Sequence, residues 1–295
     1  MGRDFDERFA ASRRAFDEAS DALALDLREL CFEPDDRLAL TEYAQPAILA
    51  TEVAMLRGLA EAFGLSAERF GGHSLGEYTA LVAAGAIPLG DALRIVRHRG
   101  RLMQEAVAVG RGRMVAVIGD IDRRRLASAI ERLSVAVAND NSPEQVVLSG
   151  FVDDVQTAER RLIGHGGESL RMVPLDVSAP FHSPMMMPIE PAFATLLESA
   201  SARWEAARAR CVTSNFTGGF HDGDEAALRT RLVRQISGTV RWRDNMAALT
   251  AQPVRIVEIG PGRPLRGFFK AIGVAVDSIT DTRAAERVLG TRSAA

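Results

Sequence analysis

Apolar positions along the first hundred residues recur every three or four places, the period of a half-buried helix. Phe9, Phe16, Ala19 and Leu23 predict a helix over 5–27, and Leu27, Leu30 and Cys31 continue its apolar face. Asp35-Asp36 reads as a loop. A long helix is expected over 41–63, with Thr41 able to cap its start, Pro46 blurring that boundary and Gly64-Leu65-Ser66 closing it. A short strand at Arg69-Phe70-Gly71 follows, then a helix over 77–84, a turn over 85–89, and a helix from Gly90 or Asp91 to about Val107.

The period then changes. Residues 114–119 alternate as a strand, 120–133 read as a helix, 135–139 and 145–150 as strands, 152–163 as a helix and 169–175 as a strand. The order β-α-β-β-α-β is that of a ferredoxin-like unit. Asn139-Asp140-Asn141-Ser142-Pro143 is its expected hairpin turn, with a wall of a substrate cleft as the other use of these polar residues. Four prolines and Met185-Met186-Met187 exclude a regular strand over 180–191; a helix starting near Ser183-Pro184 fits, with the methionines packing one face. Strands at 211–215 and 254–259, the latter buried, and helices over 225–236, from Val240-Arg241-Trp242, and through Phe268-Phe269-Lys270 complete the chain. The residues after Ala284 read as a frayed tail. The organisation is a large α/β domain (1–113 and 177–284), an inserted subdomain (114–176) and a tail (285–295).

Composition narrows the class. A chain of 295 residues with 25% charged residues and net charge −3 has room for a large core and no electrostatic case for a nucleic-acid or anionic-membrane partner. Cys31 and Cys211 lack metal or redox spacing and suggest a reducing compartment. No apolar run reaches membrane-spanning length and no signal peptide opens the sequence, so a cytoplasmic protein is expected.

Chemistry concentrates at Gly72-His73-Ser74-Leu75-Gly76, a G-x-S-x-G pattern. In a nucleophile elbow this spacing presents a serine hydroxyl on a strained strand-to-helix turn, with small flanking residues and helix N–H groups that favour an oxyanion. The Ala-rich helical segment that follows fits, and His182 in Ala179-Pro180-Phe181-His182-Ser183 is a candidate base. A Gly-rich helix start capped by Ser74 is the plainer reading of the five residues alone. Arg94, Arg97, Arg99 and Arg101 form either a solvated face or, through one of them, a seat for an anionic substrate.

Four stretches in this order resemble malonyl-CoA:acyl-carrier-protein transacylases and the acyltransferase domains of polyketide synthases. They are Gly72-His73-Ser74-Leu75-Gly76-Glu77-Tyr78, Arg99-Gly100-Arg101-Leu102-Met103-Gln104-Glu105-Ala106, Ala179-Pro180-Phe181-His182-Ser183 and Glu258-Ile259-Gly260-Pro261-Gly262. The resemblance implies a hydrolase-like α/β domain with a parallel central sheet and a ferredoxin-like insert. It implies Ser74 as nucleophile, His182 as base, the Leu75 backbone N–H as an oxyanion donor and Arg99 as partner of the malonyl carboxylate. His73 would support the elbow and border the substrate, Phe181 would border the acyl α-carbon, and Gln235 would play a supporting role. A backbone carbonyl, in the stretch Gly238-Thr239-Val240-Arg241-Trp242 and assigned to Arg241, would orient His182 in place of an acidic residue.

The implied reaction is ping-pong transfer of malonyl from malonyl-CoA to the phosphopantetheine of an acyl carrier protein, with no metal or redox cofactor. One departure stands out: the family's first strand and G-Q-G-S-Q loop, whose first Gln helps to bind the oxyanion, have no counterpart before Met1-Gly2-Arg3-Asp4. Two other readings stay open, an acyl hydrolase on the same serine, which Arg99 argues against, and a carrier-protein-binding relic of impaired activity.

Overall fold

The computed structural model describes residues 1–108, 110–164, 169–177 and 179–290. The first expected helix is three pieces: α1 (Arg3–Arg8), α2 (Ala10–Leu23) and α3 (Leu27–Phe32). Phe9 is extended between the first two, and Ala24 is left-handed after the second. The start of α2 is capped from afar, because Ala11 N–H donates to the Glu61 carboxylate at 2.9 Å. Such a tertiary cap leaves no periodic trace in the sequence. Asp35 caps a short 3-10 turn over Asp36–Ala39 where a plain loop was expected.

The long helix α4 (Thr41–Phe63) has the expected bounds and ends on Gly64 at φ 62°, the left-handed conformation that glycine adopts without strain. Its cap differs from the expectation. Leu40 occupies the N-cap position, Thr41 is the first helical residue, and the Thr41 N–H donates to Gln104 Oε1 at 3.1 Å. Pro46 lies inside the helix. Most of α4 is buried, packed between α2 on one side and, after α5 (Gly76–Ala83), α6 (Leu89–Glu105) on the other. Gly100 permits the closeness of α4 and α6: a Cβ there would stand 2.5 Å from the Thr41 carbonyl oxygen.

The middle of the chain alternates as expected. β1 (Gly112–Ile118), α7 (Arg123–Ile130), β2 (Val135–Ser142), β3 (Gln145–Phe151), α8 (Val152–Gly164) and β4 (Arg171–Pro174) form a four-stranded antiparallel sheet in the order β2-β3-β1-β4. Side chains alternate across it. Val115 and Val117 pack with Leu126, Val155 and Leu162 of the helices, while Met114 and Ala116 pack on the opposite face beside Phe181. The expected hairpin turn at 139–143 is displaced. Asn139 to Ser142 belong to β2, and the chain reverses at Pro143-Glu144. Two register shifts in β2 accommodate these residues. Their other edge is held by Val240, which accepts from Asp140 N–H at 3.0 Å and donates to the Ala138 carbonyl at 2.8 Å.

The proline-rich segment forms a 3-10 turn over Pro184–Ile189 that runs into α9 (Glu190–Ala200), with Met186 buried and Met187 exposed. Then come α10 (Glu225–Ser237), α11 (Trp242–Leu249), β5 (Ile256–Ile259), α12 (Leu265–Lys270), β6 (Val276–Ile279) and α13 (Thr282–Leu289). The parallel central sheet is present only in two separate pieces. β5 and β6 pair in parallel, and the expected strands at 69–71 and 211–215 reduce to a parallel bridge between Phe70 and Val212, with a separate antiparallel bridge from Thr213 to Phe220. The 254–259 stretch is not wholly buried: Val254 is exposed and only Glu258 is enclosed within β5. A two-stranded pair cannot cover both faces and both edges of a strand.

The tail expectation is also corrected. α13 continues to Leu289 because Ala285 and Leu289 pack on Phe5, Phe9 and Met55; 291–295 lies outside the described residues. Among the described residues no helix is long and apolar enough to cross a membrane.

The close approach at Gly100 yields a stability prediction. Gly100→Ala should destabilise by about 1–3 kcal/mol through overpacking against the α4 backbone. Gly267→Ala, where a Cβ meets nothing within 4 Å on helix α12, should be neutral or gain up to about 1 kcal/mol. Urea midpoints at constant slope measure both, and equal midpoints for the two variants would refute the steric account.

Candidate active site

Ser74 stands at the junction between the Phe70 bridge and α5, with φ 52°. A non-glycine residue in the left-handed region carries roughly 1–2 kcal/mol of strain, held here by contacts from elsewhere. Gly72 is obligatory, since a Cβ would lie 2.0 Å from the Gly76 backbone. Asn215 clamps the turn from the far side: its Oδ1 accepts from the Ser74 N–H and its Nδ2 donates to the Gly72 carbonyl, both at 2.8 Å. Because the Ser74 N–H is engaged, the next amide is the one open to a ligand. The Leu75 N–H has no hydrogen-bond partner among the described residues.

His182 Nε2 lies 2.7 Å from Ser74 Oγ. The tautomer follows from its other nitrogen, which is 2.8 Å from the Gln235 backbone carbonyl. A carbonyl only accepts, so Nδ1 carries the proton and Nε2 turns a lone pair towards the serine hydroxyl. This corrects the assignment to Arg241. Its carbonyl accepts from Asn245 N–H at 3.0 Å at the start of α11, whereas the last turn of α10 leaves the Gln235 carbonyl free for His182. His182 itself sits at φ 54°, a second strained residue in the site.

Arg99 emerges from α6 into the same space, 1% exposed, although its neighbours Arg94, Arg97 and Arg101 lie at or near the surface. It donates to Ser74 Oγ at 3.1 Å, to Gln235 Oε1 at 3.1 Å and to Gln45 Oε1 at 2.7 Å, and it lies over the Tyr78 ring at 5.5 Å. Every side-chain acceptor in that set is neutral. Among the described residues no carboxylate stands within 4.0 Å of this guanidinium, and burial pulls its pKa below the ordinary arginine value. The geometry is a buried cation beside the Ser74–His182 pair, with no carboxylate in direct contact and the buried Glu77 one amide away through Gln235.

His73 faces away from the hydroxyl. Its Nε2 is 2.8 Å from Asn141 Oδ1 and its ring packs on Trp242 and Phe268, so it ties the elbow to β2. Phe181, half-buried, packs against both the helical core and the underside of the four-stranded sheet. The structure thus brings together Ser74, His182, Arg99, Leu75 and Gln235, with His73 and Phe181 at the margin. Sequence reading passed over Gln45 and Asn215, and it named Asn141 only within a turn or a cleft wall. Gln45 sits in an Ala-rich helix and Asn215 in a turn that reads as a strand end, where nothing marks a polar residue as functional.

Burial pushes the His182 imidazole down to about 3, and the nearby Arg99 cation adds to the push. The residue is therefore neutral in the folded chain at any ordinary pH. Two consequences follow. Its contribution to stability is complete above its unfolded value near 6.5 and is lost as pH falls from there towards 3, because only the unfolded state takes up the proton in that window. Modification of Ser74 by phenylmethylsulfonyl fluoride should show no inflection near pH 6.5 when its rate is followed from about pH 8 to pH 5. An inflection there would mean that His182 titrates like an exposed histidine.

Comparison with known proteins gives the chain its relatives. The family model described as "Acyl transferase domain" matches residues 1–261. The malonyl CoA-acyl carrier protein transacylase of Bacillus subtilis (strain 168) is 36% identical over 286 residues, covering 95% of this chain and 88% of that protein. Among solved structures, a malonyl-CoA:acyl carrier protein transacylase from Xanthomonas oryzae pv. oryzae superposes with a TM-score of 0.90 at 36% identity, covering 99% of this chain and 93% of that one. A malonyl-transacylase in complex with a type II polyketide synthase acyl-carrier protein gives 0.88 at 34% identity, with 99% and 95% covered.

Proposed function

The chain belongs to the acyl transferase domain family, and from that premise we propose that it moves a malonyl group from malonyl-CoA to the phosphopantetheine thiol of an acyl carrier protein through an ester on Ser74. The observation that carries the reading is the buried Arg99, a guanidinium without a carboxylate 3.1 Å from the candidate nucleophile. A free carboxylate on the acyl group supplies the missing partner, in the forked geometry that arginine matches best.

The steps balance on the groups present. His182 Nε2 takes the Ser74 proton as Oγ bonds to the thioester carbon. The carbonyl oxygen gains charge and meets the Leu75 N–H. The C–S bond breaks, CoA leaves, and its sulfur receives the proton from His182. In the second half the pantetheine thiol gives its proton to His182 and its sulfur bonds to the acyl carbon. The Ser74 ester bond then breaks and Oγ recovers the proton. Nδ1 stays on the Gln235 carbonyl throughout, which steadies the imidazolium in place of an acidic residue. His73 supports the elbow through Asn141.

The domain reading is of the same kind. Residues 1–113 and 177–289 form a hydrolase-like α/β domain, and 114–176 a ferredoxin-like insert. The strand order β2-β3-β1-β4 with α7 and α8 on one face supports the second label; the Ser74 turn between the Phe70 bridge and α5 supports the first. The chain works in fatty acid or polyketide synthesis in the cytoplasm.

Incubation with radiolabelled malonyl-CoA should place label on Ser74 by peptide mass spectrometry, and Ser74→Ala should abolish it. Arg99→Ala should lose malonyl transfer while keeping or gaining transfer from acetyl-CoA, since a charge-assisted pair worth roughly 1.5–3 kcal/mol is removed from one donor only. Label that reaches water as fast with as without a carrier protein would favour a hydrolase, and a chain that takes no label would favour a non-catalytic carrier-binding role.

Phe181 borders the α-carbon of the acyl group and favours malonyl over methylmalonyl, a distinction of one methyl group limited to about 10–200-fold. Phe181→Ser should lose some stability, because the ring packs on both cores, and at a temperature where it is folded should shift preference towards methylmalonyl-CoA. A drop in melting temperature with parallel loss of both activities would make Phe181 a packing residue instead.

A further inference from the structure

Beneath the site runs a buried polar chain that none of these steps uses. The side chains of Glu77 and His221 are both fully enclosed, and His221 Nε2 lies 3.0 Å from Glu77 Oε1. Glu77 Oε2 accepts from the Asn215 N–H at 2.9 Å and from Gln235 Nε2 at 2.7 Å. Gln235 Nε2 gives its second hydrogen to the Ser74 carbonyl at 3.0 Å, while Gln235 Oε1 accepts from Arg99.

A primary amide is nearly symmetric in shape, so packing alone does not choose between its two orientations. The Glu77 carboxylate does choose. A flipped Gln235 would point its oxygen at that carboxylate and at the Ser74 carbonyl, and its NH2 at the Arg99 guanidinium. Acceptors would then face acceptors and donors face donors in a water-free site, where each unmade bond is expensive. His221 completes the device. Its Nε2–H satisfies the outer carboxylate oxygen, while Nδ1, which has no partner, holds the lone pair. Without that donor a buried carboxylate oxygen is left bare, a cost that the enclosed site relieves only if the Glu77 side chain moves.

We propose that Glu77, held by His221, is a positioning residue for acyl transfer. It fixes Gln235 in the one orientation in which the side-chain oxygen seats Arg99 and the backbone carbonyl orients His182. The inference rests on the transfer reading above for the roles of Arg99 and His182.

A double-mutant cycle tests it. The variants are His221→Leu, His221→Gln and Gln235→Ala, with each His221 change also made in the Gln235→Ala background. The main readout is the rate of Ser74 phosphonylation by a fluorophosphonate, which needs the Ser74–His182 pair and not malonyl-CoA. The malonyl-to-acetyl preference and melting temperature are read alongside. His221→Leu should slow phosphonylation about ten- to a hundredfold, the scale of a sub-ångström to ångström misplacement, and lower the malonyl preference. His221→Gln, whose amide N–H reaches the same carboxylate, should restore most of the rate. In the Gln235→Ala background His221→Leu should cost several-fold less than in the parent chain, because the route through the amide is gone and only the Asn215 N–H contact to Glu77 remains. Losses that multiply independently, or a lower melting temperature with unchanged rates, overturn the proposal. If His221→Leu does not fold, Glu77→Gln goes through the same cycle, and its loss must likewise shrink several-fold without the Gln235 side chain. A chain that takes no malonyl label refutes the transfer reading and leaves the phosphonylation cycle fully readable.

Discussion

The site depends on one electrostatic imbalance, a guanidinium taken out of water with no carboxylate to meet it. Desolvating an ion costs several kcal/mol, and neutral hydrogen-bond acceptors return only part of that. Arg99 is held by two amide oxygens, a serine hydroxyl and the face of Tyr78. Those contacts fix its position without cancelling its charge. The remaining attraction is available to an anionic acyl group, and it lies where the reacting carbon must sit. On the proposed reaction, selectivity and positioning come from the same charge. Burial and, after it, that charge lower the basicity of His182, which therefore stays neutral.

Both members of the nucleophile–base pair occupy left-handed backbone, which neither serine nor histidine favours. The strain is local and its compensation is distant. Asn215 pins the Ser74 turn from the strand-like segment after 211, and the end of α10 supplies the carbonyl for His182. Glu77 joins these two supports through one carboxylate oxygen, so the elbow and the base share an anchor. A common anchor keeps the 2.7 Å separation of Oγ and Nε2 from depending on two independent loops.

The four-stranded sheet bears on the site through β2. Its register shifts put Asn141 against His73 and leave the neighbouring backbone to pair with Val240, so the sheet is docked by backbone hydrogen bonds as well as by side chains. Phe181 fills the seam between the two cores. Elements far apart in sequence therefore meet beside the elbow along one strand edge.

The sequence by itself determined what depends on neighbours along the chain. The 41–63 helix, the alternating elements of the middle segment and the G-x-S-x-G turn follow from period, propensity and the size of flanking residues, and the motif order pointed to Ser74, His182 and Arg99. Only the tertiary structure decided what depends on residues brought together from a distance. It broke the first helix at Phe9, where Glu61 caps the next one, and kept 139–142 in a strand, where Val240 supplies a second edge. It carried α13 to Leu289, where Phe5 and Phe9 cover an apolar face. It gave the orienting carbonyl to Gln235, because that choice rests on where α10 ends in space. Burial separated Arg99 from three other arginines on the same helix, a distinction that helical spacing alone does not carry.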